Sequence, residues 1–408
     1  MVEEKRIPEG YKQTEVGVIP EDWKIVRLGD VCQYQNGRSL EKYFNNRMGY
    51  KVISIGNYSA TGRYIENSCY ISSKHSDDIS KFILKRNDLT ILLNDKTSIG
   101  TIIGRALFIE EGNKYVFNQR TMRLSFFNQY YSKFIYYMIN SEDVHKIIMN
   151  KAKPGTQIYV NTNDILEVLI ALPQNYDEQI RIAEVFDDTD NLLQSLQKLI
   201  DKKKKVKQGA MQELLTGKKR LPGFEGEWEE RGLGDIAGIV MGQSPESKYY
   251  NLNSNGLPLF QGKADIKNRK SVINLFTSQL TKKCFKNDIL MSVRAPVGYV
   301  SKADSEGCIG RGLCAIKPSN NYLYHYLIFI ENSWSMLSTG STFDSINSSE
   351  LRKLKILMPS NESEQTAIAT ILSDMDTEIE SLEKKYEKLQ AVKKGMMQEL
   401  LTGRVRLI

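Results

Sequence analysis

Residues 207–217 read KQGAMQELLTG and residues 393–403 read KKGMMQELLTG, identical at nine of eleven positions and 186 residues apart. A segment written twice constrains the fold more than composition does, because the same local sequence needs the same surroundings twice. Read backwards at this offset, Pro173 meets Pro359, Glu178–Gln179 meets Glu364–Gln365, and Ile182–Ala183 meets Ile368–Ala369. Asp190 meets Asp376, Leu196 meets Leu382 and, reading forwards, Arg220–Leu221 meets Arg406–Leu407. A second correspondence, at offset 205, pairs Trp23 with Trp228, Leu28–Gly29–Asp30 with Leu233–Gly234–Asp235, and Gly37 with Gly242. The chain is thus two copies of one unit, roughly 23–221 and 228–408, and the second is shorter by the 19-residue fall in offset. The ends of the unit repeat; its middle differs.

The repeated tail reads as a long helix. In the first copy, Ile182, Phe186, Thr189, Leu193, Leu196, Ile200, Ala210 and Leu214 follow the 4-3 spacing of a coiled-coil seam. In the second, Ile368, Leu372, Met375, Ile379, Leu382, Tyr386, Leu389, Met396 and Leu400 do the same. Pro173 and Pro359 precede the starts, carboxylates (Asp177–Glu178, Glu362, Glu364) follow, and Gly217 and Gly403 stand at the stops. Each helix is expected to run about 36–40 residues, or roughly 55–60 Å at ~1.5 Å per residue. That exceeds the diameter of a domain of ~150 residues, so the economical partner of one stripe is the other. Two separate amphipathic helices, each packed on its own domain, are the alternative. Lys203 and Lys207, in DKKKKVKQG, occupy core slots of the seam and are expected to weaken pairing there. The run itself reads as a solvated helix face, with a phosphate-facing or subunit-facing role as the alternative.

Each middle is rich in short β patterns: KVISIGN, KFILKRNDLTILLN and TIIGRALFIE in the first, CFKNDILMSV, GYVSKA and GLCAIKP in the second. Helical pieces follow, YYSKFIYYMINSEDVHKIIMN and YLYHYLIFIENSWSML. The expected class is α+β, with twisted, mainly antiparallel sheets. Asn87–Asp88 matches Asn287–Asp288, Gly100 matches Gly298, Arg120 matches Arg311, and Gly155–Thr156 matches Gly340–Ser341. Shared turn residues indicate one fold used twice. Divergence elsewhere would let each copy bind something different, or is drift after duplication.

The chemistry is informative by what it excludes. GLPLFQGKAD has five residues between its glycines, and Ala264 stands where a phosphate loop needs Ser or Thr. GLGDIAG lacks the dinucleotide spacing. No Asn/Asp-Pro-Pro-aromatic tetrapeptide is present to hold an extruded adenine, and the Glu383–Lys385 pair lies on the coiled-coil helix without a partner acid. Three scattered histidines and five cysteines without CxxC spacing argue against zinc and for reduced thiols. No secretion signal and no 18-residue apolar run is found, so a cytoplasmic protein off the membrane is expected. The net charge of +7 is compatible with nucleic acid without requiring it. No credible active site emerges.

The combination of a Trp-x(4)-Leu-Gly-Asp entry, a Pro-x(4)-Glu-Gln helix start and a Gln-Glu-Leu-Leu-Thr-Gly helix end, all written twice, resembles the DNA-specificity subunits of type I restriction–modification enzymes. The resemblance covers nearly the whole chain. It implies a non-catalytic subunit with two similar target-recognition domains joined by two long antiparallel coiled-coil helices, in a pseudo-twofold cyclic arrangement. The expected boundaries are 1–174 for the first domain (with a conserved segment at 1–20), 175–217 for the central helix, 218–358 for the second domain and 359–408 for the C-terminal helix. It further implies double-stranded DNA as ligand, each domain reading half of a bipartite, asymmetric site. Two methyltransferase (M) subunits and two restriction (R) subunits are the implied partners. No cofactor is expected on this chain, S-adenosylmethionine, ATP and Mg belonging to the partners. Helices of ~55 Å match at most about 16 base pairs, which puts the half-sites roughly one to one and a half turns apart.

Polar residues flanking the shared glycines are the candidate DNA contacts, since glycine-held loops can approach a duplex closely. They are Asn36, Arg38, Ser39, Lys96, Arg120, Thr156, Gln157 and Tyr159 in the first copy, and Gln243, Ser244, Lys263, Arg294, Arg311, Ser341 and Thr342 in the second. Arg suits guanine, Gln and Asn suit adenine, and Lys, Ser and Thr usually meet phosphate. About a third are expected to touch DNA, the rest being ordinary turn residues. The competing function is a coiled-coil DNA-binding scaffold or regulator that needs no methyltransferase.

Overall fold

Both repeated tails are helices of the same length, Tyr176–Leu214 and Glu362–Leu400, 39 residues each. The computed structural model describes residues 7–96, 99–153, 157–334 and 345–408. Among the seam residues, Ile182, Phe186, Leu193, Leu196, Ile200 and Leu214 of the first helix are buried, as are Ile368, Leu372, Ile379 and Leu400 of the second. Left-handed glycines follow both ends, Gly217 at φ 68° and Gly403 at φ 72°.

The chain divides into two compact units, Met1–Ser195 with Tyr386–Ile408, and Leu196–Lys385. Each long helix therefore contributes its front half to one unit and its back half to the other. Within the first unit, Glu178 meets Arg406 and Asp190 meets Lys393, so position rises along one segment as it falls along the other and the two run antiparallel. Within the second, Lys203 meets Glu378 and Lys207 meets Asp376, again antiparallel.

The lysine run divides: Lys202, Lys204 and Lys205 are exposed, as on a solvated helix face, whereas Lys203 and Lys207 are partly buried. Lys203, Lys204 and Lys207 reach Glu378, Glu383 and Asp376 of the other helix at 2.6, 2.7 and 2.5 Å. Lys207 keeps only 13 % of its side chain exposed, so this core slot is filled by an ion pair rather than left as a gap. Sequence spacing shows the slot but not the carboxylate opposite it.

In the first unit, a four-stranded antiparallel sheet runs in the order Ala106–Phe108, Leu89–Leu92, Thr121–Phe126, Cys32–Asn36. A second sheet orders Tyr115–Phe117, Tyr50–Ile53, Tyr70–Ile71 and Phe44–Asn45, with one parallel pair. Alternate strand residues Leu89, Ile91, Met122 and Leu124 bury against Phe134, Ile135 and Ile148 of helices Ser132–Ile139 and Glu142–Lys151, and the core continues into Ile182, Phe186, Leu400 and Leu401. In the second unit, the larger sheet runs Gly238–Met241, Leu313–Lys317, Ile289–Ser292, Val300–Lys302, Lys270–Ser271, Ile266–Lys267. Its core joins Ile289, Met291 and Ile316 to Tyr322 and Leu327 of helix Tyr322–Phe329 and to Leu214, Ile368 and Leu372. The α+β reading and the mainly antiparallel sheets stand.

The repeated residues meet at one place in each unit. Pro173 pairs with Trp23 across two antiparallel strands, and Pro359 pairs likewise with Trp228. The Gln179 and Gln365 amides donate to the carbonyls of those prolines at 2.9 and 2.7 Å. Glu178 and Glu364, each 1 % exposed, receive Arg406 and Arg220 as two-pronged partners. Both guanidinium groups sit 6.0 Å from the Trp23 and Trp228 rings respectively.

Candidate nucleic-acid interface

Register gathers most of the first-copy candidates at one end of the central sheet. Leu92 pairs with Thr121 and Met122 with Asn36, so the ends of two strands and the beginning of a third lie side by side. Asn36, Arg38 and Ser39 leave this edge from one strand, Arg120 enters it, and Lys96 follows Asn94–Asp95 just beyond Leu92. Tyr159 joins by pairing with Asn94. Asn36, Arg38, Ser39, Lys96, Arg120 and Tyr159 are exposed, and Gln157 is half-buried. Thr156 lies outside the described residues.

The edge is held tightly. Gly37 donates its N–H to the Thr121 carbonyl at 2.8 Å, and a Cβ at Gly37 would run into the Asn118 carbonyl oxygen. Asn118 donates from its backbone to Ile53 at 3.0 Å, and the Arg120 carbonyl accepts from Leu93 at 2.9 Å. Glu41, itself exposed, ties the edge together: its carboxylate accepts from Ser39, from Asn118 Nδ2 at 2.9 Å and from Gln119 Nε2 at 2.7 Å. Burial works to raise the Glu41 carboxyl, but these donors outweigh it and hold the group down at about 2. The Ser39 hydroxyl is therefore occupied, whereas the guanidinium groups of Arg38 and Arg120 have no acidic partner among the described residues.

The second unit repeats this frame. Met241 and Met291 both pair with Cys314, and Ser292 with Leu313. Gln243 and Ser244 leave the edge, Arg294 follows Ser292, and Arg311 precedes Leu313. Gly242 donates to the Leu313 carbonyl at 3.0 Å, Gly310 to Phe260 at 2.8 Å and Val293 to Gly312 at 3.0 Å. A Cβ on Gly242 would run into the Gly310 carbonyl. Gln243, Lys263, Arg294 and Arg311 are exposed, and Ser244 accepts the Arg311 N–H at 3.1 Å. The Lys263 ammonium stands 4.8 Å from the centre of the Tyr299 ring, which Arg269 also approaches at 4.6 Å. Ser341 and Thr342 lie outside the described residues.

One sequence match shifts by a residue. The bonds that hold Asn118 and Arg120 are those that hold Gly310 and Gly312, so Arg311 occupies the place of Gln119, not of Arg120. Arg120 itself takes φ 69°. Matching the two arginines by identity misplaced the turn, and Gln119 escaped notice with Glu41. Aligning Val116–Phe117 with Cys308–Ile309, the buried residues before each turn, places Gln119 opposite Arg311, whereas Glu41 is joined to the turn only across space. The Asn87 and Asn287 match holds: both are left-handed, at φ 70° and 72°. In each turn the following aspartate caps a backbone N–H, Lys85 and Phe285, at 2.7 and 2.8 Å.

Among the described residues, no group of three or more His, Cys, Asp or Glu side chains could hold a metal, and no helix is long and apolar enough to cross a membrane. The five cysteines are free, and burial pushes the Cys32, Cys284 and Cys314 thiols up to about 12. The arrangement offers exposed cations and amides on a rigid backbone, suited to reading a polyanion.

The family model for the type I restriction modification DNA specificity domain matches residues 20–208 and again residues 225–391. The chain is 32% identical over 420 residues to the MjaX specificity subunit assigned to a type I restriction enzyme of Methanocaldococcus jannaschii, covering 98% of this chain and 97% of that protein. The fold is similar to the S subunit of a type I restriction-modification system from M. genitalium, with TM-score 0.65 at 16% identity over 93% of this chain and 96% of that one. A chain from a structure addressing complex assembly and conformational transition of the type I R-M system gives TM-score 0.58 at 22% identity, over 95% of this chain and 99% of that one. With the model matched twice and a relative aligned over almost its full length, the chain belongs to the type I restriction–modification DNA specificity family.

Proposed function

We propose that this chain is the non-catalytic DNA-recognition subunit of a type I restriction–modification complex, reading a bipartite, asymmetric site. The first target-recognition domain (1–174) reads one half and the second (218–358) the other. The helices (175–217 and 359–408) dock two adenine-N6 methyltransferase subunits, to which restriction subunits add. S-adenosylmethionine, ATP and Mg are bound by those partners rather than by this chain, and the complex works in the cytoplasm. One observation carries the reading: the two units build the same glycine-locked sheet end from the same hydrogen bonds, yet dress it with different exposed side chains. A common frame with divergent polar tips suits two readers of two different sequences.

The test is to map N6-methyladenine in the host genome with and without this gene. The reading expects a two-part methylated sequence that disappears with the gene. An unchanged methylation pattern would overturn it.

A further inference from the structure

We propose that Gln119 and Arg311, which occupy the same tip of the same frame, are base-reading residues, Gln119 for an adenine and Arg311 for a guanine. The inference rests on the proposed DNA-recognition function and deepens it.

Three matched backbone bonds define the tip. Gly37 to Thr121, Asn118 to Ile53 and Leu93 to Arg120 in one unit correspond to Gly242 to Leu313, Gly310 to Phe260 and Val293 to Gly312 in the other. The position between is Gln119 or Arg311, and both are exposed. Its neighbours cannot serve both units, since Asn118 and Arg120 are replaced by Gly310 and Gly312, which have no side chain.

The first tip is held through its side chain and the second through its backbone. Glu41 Oε1 accepts one N–H of Gln119 Nε2 at 2.7 Å, which fixes the nitrogen end of the amide. What remains is Oε1 and the second N–H, an acceptor beside a donor, matching N6–H and N7 of adenine in the major groove. Asn118 Nδ2 and Ser39 also donate to Glu41 and keep it ionised and in place. Arg311 has its backbone N–H tied to Ser244 Oγ at 3.1 Å, and its guanidinium has no partner among the described residues. Its fork of donors matches O6 and N7 of guanine. Glu41 is a positioning residue: it acts through Gln119.

The experiment uses the full chain assembled with its methyltransferase subunits, and selects bound duplexes from pools randomised over each half-site. Wild type should select adenine at one position of one half-site and guanine at one position of the other. Gln119→Arg should convert that adenine preference to guanine, and Arg311→Gln should convert the guanine to adenine. Each preference should be worth roughly 10- to 100-fold over the wrong base. The untouched half-site serves as a folding control and should keep its preference in each variant. Glu41→Gln should blunt the adenine preference several-fold while leaving the salt dependence of binding unchanged. Retention of wild-type preferences in both variants would overturn the tip assignment alone, as would loss of both halves in either variant. A wild-type complex that selects no two-part sequence would overturn the proposed function as well.

Discussion

Arg406 closes on Glu178 through two hydrogen bonds of 2.5 and 2.8 Å, across 228 residues of sequence, and the carboxylate it meets is 1 % exposed. The same guanidinium holds the Asp22 carboxyl below its ordinary range and is itself raised by Glu178. Removing one member of a buried pair leaves the other desolvated and unmatched. Arg406→Ala is therefore predicted to cost about 3 kcal/mol, the lower end for such pairs because the arginine is partly exposed. Arg404→Ala, whose 3.6 Å pair with Glu399 is open to solvent, should change stability by less than about 0.5 kcal/mol. Urea unfolding of the two variants distinguishes them, and equal losses would contradict the buried-pair account.

The lysine run allows a second comparison. Lys207 is nearly enclosed in the seam opposite Asp376, whereas Lys204 stays 54 % exposed beside Glu383. Lys207→Ala should cost about 1 kcal/mol, mainly through lost packing because Asp376 is 43 % exposed, and Lys204→Ala no more than about 0.5 kcal/mol. Chemical denaturation measures both, and the order of the two effects is the decisive result.

Gly37 and Gly209 should respond in opposite directions to alanine. A Cβ at Gly37 collides with the Asn118 carbonyl, whereas at Gly209, inside the long helix, nothing lies within 4 Å. Gly209→Ala should stabilise by roughly 0.5–1 kcal/mol through helix propensity. Gly37→Ala should destabilise and weaken DNA binding through the first unit's half-site. Thermal melting and binding competition report the two signs.

Two histidines, His325 buried and His145 half-buried, should make the chain sensitive to mild acid. Burial, with Lys207 and Lys302 nearby, pushes His325 down to about 3, and burial with Arg105 nearby pushes His145 down to about 4. The unfolded chain takes up protons near pH 6.5 that the folded chain refuses, so this contribution to stability is whole above pH 6.5 and is lost as pH falls toward 4. Each histidine adds a slope of up to about 1.4 kcal/mol per pH unit between those limits. His325→Gln should flatten the slope between pH 6.5 and 5, and an unchanged slope would contradict the assignment.

The sequence was most readable where a pattern repeats. The two helices, their seam and their glycine stops follow from spacing alone, because 4-3 periodicity and left-handed caps are local properties. The strands around Leu89–Leu92 and Ile289–Ser292 were legible for the same reason. Less legible was what meets across space. Glu178 and Glu364 read as ordinary helix-start carboxylates, although each receives an arginine from a remote segment. Lys207 read as a defect in the seam because its partner, Asp376, lies 169 residues away. The tip residue Gln119 was hidden behind a coincidental match of arginines, which only strand register corrects.

Under the proposed function each unit reads one half of the target. The most direct test of this replaces residues 222–358 with the matching segment of a relative and maps N6-methyladenine in cells that carry the chimera. The account predicts a methylated sequence with one half unchanged and the other replaced. A chimera that changed both halves, or that assembled and methylated the original sequence, would contradict it.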